Sequence, residues 1–173
     1  MDAEPQVAPI IIEHRIPRAP SDGRDVGQGL DYQNLLAVCH GNRASGGTRK
    51  FMDLTCDAHR ENTEFRKVNP CISDTLTSIF YQLDGKIGAS DPDVSFDLLE
   101  TFNLNCSSSP LIAERKAALD SLILALGNVA EDVLFDYCIA ALEEFQAESN
   151  PKTPYVGILI WYLETLIDGL HAR

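Results

Sequence analysis

The chain has 173 residues, 45% of them apolar, which is enough for one domain or for a small module with a helical extension. No apolar run reaches the roughly 18 residues that a membrane-spanning helix needs, so we expect no membrane association. The first residues carry Asp2 and Glu4 instead of a basic stretch before an apolar one, so we expect no signal peptide and a cytoplasmic location. The five cysteines are widely spaced and include no CxxC pair, which is typical of reduced thiols.

The distribution of charge qualifies the formal net charge of -12, which by itself argues against nucleic-acid binding. Residues 1–70 contain nine Lys or Arg and ten Asp or Glu, a net of -1, whereas residues 71–173 contain five and sixteen, a net of -11. Any contact with phosphates is therefore expected in the first 70 residues. The acidic remainder is better suited to a scaffold or a surface for a protein partner.

The first predicted element is a buried strand at the β-branched run of residues 10–12, ending at Glu13 and His14 before Pro17. Asp31 is predicted to cap a helix that begins at Tyr32, and a second short helix is predicted over about residues 53–60. Farther along, Asp-Gly between the apolar runs of residues 79–83 and 86–87 predicts a β-hairpin.

From residue 93 the pattern becomes helical. A short helix is predicted over residues 94–102, and a longer one starts at Ser109-Pro110 and runs to about residue 126. Asn128 is predicted to cap a third helix, which Asn150-Pro151 ends, and a last helix runs from Thr153-Pro154 to residue 170.

Three pieces of the first 62 residues have side chains suited to metal-dependent phosphodiester hydrolysis. That chemistry needs side chains that hold a divalent cation, a neutral imidazole that takes a proton from water, and a polar residue that fixes the imidazole. On residue types alone, each piece also has an ordinary interpretation: Glu13-His14 as a solvated surface pair, Asn34 as a helix cap or exposed polar residue, and His59 as a surface histidine. Spacing along the chain does not show whether the pieces converge. They are Glu13-His14, Asn34 and the run from Asp57 to Arg60.

The order of these pieces resembles that of HNH nucleases, in particular the PtuB-like nucleases of retron and Septu anti-phage systems. The HNH pattern is an acidic-His pair soon followed by Pro, an Asn-Leu-Leu segment ending in Cys, and a late His followed by a basic residue. PtuB-like proteins continue with a hairpin, a Leu-Asn-Leu-Asn-like segment and a helix. The matching segments, within roughly residues 10–126, are Glu13–Pro17, Leu30–Cys39, Cys56–Arg60, Asp84–Ile87, Phe102–Asn105 and Leu111–Leu119.

The resemblance implies a role for each matching position. His14 is the general base, Asn34 orients His14 or its supporting loop by hydrogen bonds, and Glu13 and His59 are metal ligands for Mg²⁺ or Mn²⁺. Arg60 contacts the phosphate, although a surface ion pair with a nearby glutamate is the ordinary interpretation.

The chain departs from the family pattern at three points. The first concerns Cys39 and Cys56, which in many relatives bind a structural zinc together with a CxxC pair that precedes the acidic-His strand. No such pair stands before Glu13, so either the N-terminus is shortened relative to relatives or this member does without zinc, and the zinc is left open. Residues 40–54 form a long insertion between the two halves of the pattern, and Glu61 stands where a glycine often follows.

Together these interpretations predict an α+β protein. Residues 1–75 are expected to form a minimal HNH, or ββα-metal, module, and residues 76–173 a hairpin followed by a C-terminal helical region. The implied function is hydrolysis of DNA as a phage-defence effector, with a PtuA-like ATPase and a retron reverse transcriptase with its DNA product as partners. The alternatives are a catalytically decayed HNH-like module that binds its partner through the acidic helical half, and an RNA-directed nuclease of the same fold.

Overall fold

A computed structural model describes residues 11–17, 23, 32–42, 50–149 and 152–171. It contains both helices and small sheets, so the predicted α+β class is confirmed. The chain divides into two compact units, Met1–Ile79 with Ala89–Ser109 and Phe80–Gly88 with Pro110–Arg173. This division differs from the predicted boundary after residue 75, because residues 89–109 pack with the first unit.

The first unit begins with a two-stranded antiparallel sheet. Strand β1, Ile11–His14, pairs with strand β2, Leu35–Val38, and His14 lies opposite Leu35. A strand forms before Pro17 as predicted, but the expectation that it is buried was wrong, since Ile12 is 67% exposed. The helix predicted from Tyr32 was also wrong. A single 3-10 turn, Tyr32–Asn34, leads into β2 instead, because pairing with β1 overrides the helical preference of Leu and Ala. Asp31, the predicted cap, lies outside the described residues.

Of the helix predicted over about residues 53–60, the part that forms is helix α1, Cys56–Arg60. Leu54 and Thr55 before it are extended, and a separate 3-10 turn spans Phe51–Asp53. Helix α2, Pro92–Phe96, passes directly into a π-helical turn, Asp97–Thr101, which together match the helix predicted over residues 94–102. The side chain of Asp91 accepts the N–H groups of Asp93 and Val94 and so caps α2.

The predicted hairpin is present as strands β3, Ile79–Tyr81, and β4, Ile87–Ala89. Its turn requires glycine at Gly85, where φ is +89° and an added Cβ would lie 2.2 Å from the carbonyl oxygen of Ile112.

The second unit is mainly helical. Helices α3, Leu111–Leu126, and α5, Val156–His171, begin and end within three residues of their predicted bounds, and α4 spans Leu134–Ala147 after a 3-10 turn at Glu131–Val133. Its core contains the fully buried side chains of Leu119, Cys138 and Leu163. Within the described part of the chain, no helix combines the length and apolarity that crossing a bilayer requires.

Candidate functional site

The turn that follows β1 is fixed by Asn34. The side-chain Oδ1 of Asn34 accepts the N–H of Ile16 at 2.7 Å, its Nδ2 donates to the Ile16 carbonyl oxygen at 3.0 Å, and its own carbonyl oxygen accepts the N–H of Arg15 at 2.7 Å. Asn34 is only 3% exposed. The hydrogen bonds expected from Asn34 to the loop beside His14 are therefore present, while a part in catalysis stays a prediction.

A second set of contacts to the same turn comes from Arg60 on α1. One terminal nitrogen of its guanidinium donates to the carbonyl oxygens of His14 and Arg15, both at 2.9 Å, and its Nε donates to the Thr63 carbonyl oxygen at 2.8 Å. The other terminal nitrogen lies 3.7 Å from a carboxylate oxygen of Asp57. Arg60 thus fixes backbone that flanks His14.

Arg60 is expected to contact a phosphate, and the structure shows a buried side chain with other partners. The residue is 3% exposed, its guanidinium lies 4.2 Å from the centre of the Phe65 ring, and desolvation by burial lowers its pKa. In the described conformation three of its contacts are backbone carbonyl oxygens, so a structural role accounts for the side chain, and phosphate contact stays a prediction.

Beside this turn lies a cavity of about 260 Å³. It is bordered by three carboxylate residues and one imidazole, with the remaining border supplied by Pro17, Arg60 and Asn62. Carboxylate oxygens suit hard divalent cations such as Mg²⁺ and Mn²⁺. The chemistry of the border therefore fits the expected cation and general base. The four titratable residues are Glu13, His14, Asp57 and Glu61.

His59, the second predicted metal ligand, is not among the residues that line this cavity. Its Nδ1 lies 3.1 Å from the carbonyl oxygen of Thr101, and its ring stacks on that of Phe51 with centroids 4.3 Å apart. Successive helical residues are about 100° apart, so Asp57 and Arg60 share a face of α1 that His59 does not. The structure brings Glu13 and His14 together with Asp57 in place of His59.

Asp57 is the site residue that the sequence interpretation missed. It was noted only as a neighbour of His59, although its spacing of three from Arg60 predicts a shared helical face. Among the described residues, no three His, Cys, Asp or Glu side chains are close enough together to hold a metal ion. A cation here would complete its coordination with water and phosphate oxygens.

The two cysteines predicted as possible zinc ligands do meet in the structure. The Sγ atoms of Cys39 and Cys56 lie 2.7 Å apart, and no third ligand joins them among the described residues. The hydrogen bond between the sulfurs lowers the pKa of the Cys39 thiol to about 6 and, together with burial, raises the pKa of Cys56. A structural zinc needs four ligands, so the zinc stays a prediction.

A buried carboxylate connects the segment after α1 to the π-helical turn. Asp97 is fully buried and accepts the backbone N–H groups of Arg66, Lys67 and Val68 at 2.8 to 2.9 Å. The signal in the sequence is limited to the apolar neighbours of this aspartate, Phe96 and Leu98, since a charge that is buried needs several donors. These bonds hold the segment that follows α1.

Comparison with known proteins identifies no family: no protein-family model matches the chain, and no curated protein matches it significantly. The resemblance to HNH nucleases therefore depends on the motif residues alone.

Proposed function

We propose that the first unit is a metal-dependent endonuclease of the HNH type that hydrolyses DNA phosphodiester bonds. One observation carries the proposal: His14, at the end of β1, borders a cavity with the carboxylates of Glu13 and Asp57, and the turn beside it is fixed by Asn34 and Arg60. The order β1, β2, α1 is also that of the ββα arrangement implied by the resemblance.

In this proposal each residue has one task. The imidazole of His14, when neutral, takes the proton of the attacking water. Glu13 and Asp57 hold a Mg²⁺ or Mn²⁺ ion, which supplies charge stabilisation at the scissile phosphate when bound. Asn34 and Arg60 keep the backbone at and directly after His14 in place, so that this segment does not have to be ordered during the reaction.

The wider biological role follows from the resemblance alone. We propose a cytoplasmic effector of an anti-phage system that acts with a PtuA-like ATPase and a retron reverse transcriptase with its DNA product. The charge distribution supports such an arrangement, because the acidic residues concentrate after residue 70 and leave the candidate site in the less acidic part.

The second candidate is a non-catalytic interaction module that binds its partner through the acidic helical half. The position of His59 favours it, because the imidazole contacts the Thr101 carbonyl and the Phe51 ring instead of the cavity. The absence of a three-ligand cluster among the described residues points the same way.

Plasmid cleavage in Mg²⁺ or Mn²⁺ tests the two candidates, with tRNA in parallel for the RNA-directed alternative. We expect nicking by the wild-type chain, at least a tenfold lower rate in His14→Ala and in Asp57→Asn, and a rate close to wild type in His59→Ala. Circular dichroism of each variant checks that it folds. Wild-type protein that cleaves no faster than His14→Ala would contradict the nuclease and favour the interaction module. Loss of activity in His59→Ala with retention in Asp57→Asn would restore His59 as the ligand.

A further inference from the structure

Cys39 and Cys56 form a close pair of thiols within the first unit. Cys39 directly follows β2 and Cys56 is the first residue of α1, so 17 positions separate them along the chain. Their Sγ atoms are 2.7 Å apart, and neither is in a disulfide.

The backbone, and not side-chain rotation alone, brings these thiols together. The N–H of Thr55 donates to the Gly41 carbonyl oxygen at 3.0 Å, two residues after Cys39 and one before Cys56. Gly41 has a φ of +65°, and an added Cβ would lie 2.4 Å from the Thr55 carbonyl oxygen and 2.5 Å from the Ala58 Cβ. The chain segments that carry the two cysteines are therefore in direct backbone contact.

The conformation of Cys56 fixes the second thiol. Its φ is +53°, in the left-handed region that non-glycine residues rarely adopt, and its N–H donates to the Phe102 carbonyl oxygen at 2.8 Å. The surrounding structure thus holds a strained residue with its sulfur beside that of Cys39.

Access to solvent differs among the five cysteines. Cys39 is exposed and Cys56 is partly exposed, whereas Cys106 and Cys138 are buried and Cys71 is exposed. A small oxidant such as a peroxide can reach both Cys39 and Cys71, and at Cys39 a resolving thiol lies directly beside the exposed sulfur.

We propose that Cys39 and Cys56 are a modification site that forms a reversible intramolecular disulfide when the protein meets a peroxide. The Cys39 sulfur attacks one peroxide oxygen and the O–O bond breaks, which gives a sulfenic acid and, with the thiol proton, one water. The Cys56 sulfur then attacks the sulfenic sulfur, the S–O bond breaks, and the second water leaves with the Cys56 proton. Two thiols lose two electrons, the peroxide gains two, and a dithiol reductant reverses the change.

The bond would join the end of β2 covalently to the start of α1, the helix that carries Asp57 and Arg60. A disulfide needs two sulfurs only, and the described residues bring two together. The proposal does not depend on nuclease activity, so the failure of either one leaves the other standing.

Peptide mapping of the full chain tests the site directly. The reduced protein is treated with an equimolar amount of hydrogen peroxide, remaining thiols are alkylated, and a tryptic digest is examined by mass spectrometry without reduction. Each cysteine falls in a separate tryptic peptide: residues 25–43 contain Cys39, residues 51–60 contain Cys56 and residues 68–86 contain Cys71. Cys71→Ser is the matched control, since it removes an exposed thiol outside the pair.

We expect the dominant cross-linked species to join peptides 25–43 and 51–60, with the loss of two hydrogen atoms, in the wild type and equally in Cys71→Ser. Dithiothreitol should release both peptides. The proposal is overturned if the two peptides are alkylated separately after oxidation, or if cross-links to Cys71 are as abundant. It is also overturned if the purified protein holds a stoichiometric zinc ion that protects both thiols until a chelator removes it.

Discussion

Arg60 donates a hydrogen bond of 2.9 Å to the backbone carbonyl oxygen of His14, so helix α1 contacts the end of strand β1 through a buried cation. The same nitrogen also donates to the carbonyl oxygen of Arg15. The side chain of Asn34 forms hydrogen bonds with both the N–H and the carbonyl oxygen of the next residue, Ile16. The candidate general base therefore lies in backbone that two side chains fix from two different elements.

Replacing Arg60 by methionine keeps a long side chain but removes its hydrogen bonds and leaves the carboxylate of Asp57, whose side chain is 10% exposed, without its ion pair. We expect the free energy of unfolding to fall by about 3–5 kcal/mol in urea titrations, because one partner of a buried charged pair is lost. Arg66→Met is the control, since that guanidinium is half exposed. Unchanged stability combined with weaker DNA binding would return Arg60 to the phosphate role.

Asn34→Ala removes an acceptor and a donor at a buried position. We expect a loss of about 1–3 kcal/mol in the free energy of unfolding, because the N–H and carbonyl of Ile16 lose their partner. Asn34→Asp should also destabilise the protein, since a carboxylate oxygen would then face the Ile16 carbonyl oxygen. The control is Asn128→Ala, whose amide makes one exposed hydrogen bond. If Asn34→Ala and Asn128→Ala unfold at the same urea concentration, the turn does not depend on Asn34.

The buried carboxylate of Asp97 offers a test of what holds the segment after α1. In the wild type the carboxylate accepts hydrogen bonds from three backbone N–H groups, and in Asp97→Asn an amide nitrogen would face some of them. We therefore expect the free energy of unfolding, measured by chemical denaturation, to fall by about 1.5–3 kcal/mol. Asp93→Asn, at a side chain that is 58% exposed, should change the stability far less. Similar losses in the two variants would argue against the three-donor arrangement.

The pH dependence of stability should carry a contribution from Asp91. Its hydrogen bond with Lys67, followed by those with the α2 backbone, lowers the pKa of this carboxyl below 3.8 in the folded protein. A depressed folded pKa adds stability above the unfolded value, and that stability is lost as the pH falls through the folded pKa. Asp91→Asn keeps an oxygen that caps α2 but loses the charge.

We therefore expect the melting temperature of Asp91→Asn to lie below that of the wild type near neutral pH, with the difference shrinking as both are acidified below the unfolded pKa. Asp91→Ala loses the cap as well and should melt lowest of the three. A difference between wild type and Asp91→Asn that stays constant on acidification would show that the ion pair contributes nothing.

Local signals in the sequence predicted much of the fold. The β-branched run before Pro17, the Asp84-Gly85 turn and the proline-started helices depend on neighbouring residues only, and β1, the hairpin, α3 and α5 form where they were expected. Strand β2 was missed because Leu35, Leu36 and Ala37 favour a helix locally, and only pairing with β1 decides otherwise.

Among the residues of the candidate site, the sequence pointed to Glu13, His14 and Asn34. It was less informative about the residues of α1. The sequence gives no direction in space for a five-residue helix, so it did not decide between Asp57 and His59. That choice depends on contacts from residues about 40 positions away, such as the Thr101 carbonyl at His59 and the His14 carbonyl at Arg60.

The first unit is discontinuous along the chain, and this has a practical consequence for dissecting the protein. A fragment that ends at residue 75 would keep Glu13, His14 and Asp57 but lose Asp97 and the Phe102 carbonyl that accepts from Cys56. A single cut in the hairpin turn, by contrast, leaves both stretches of the unit present on separate polypeptides. We expect the first unit to form from these two polypeptides only when they are mixed.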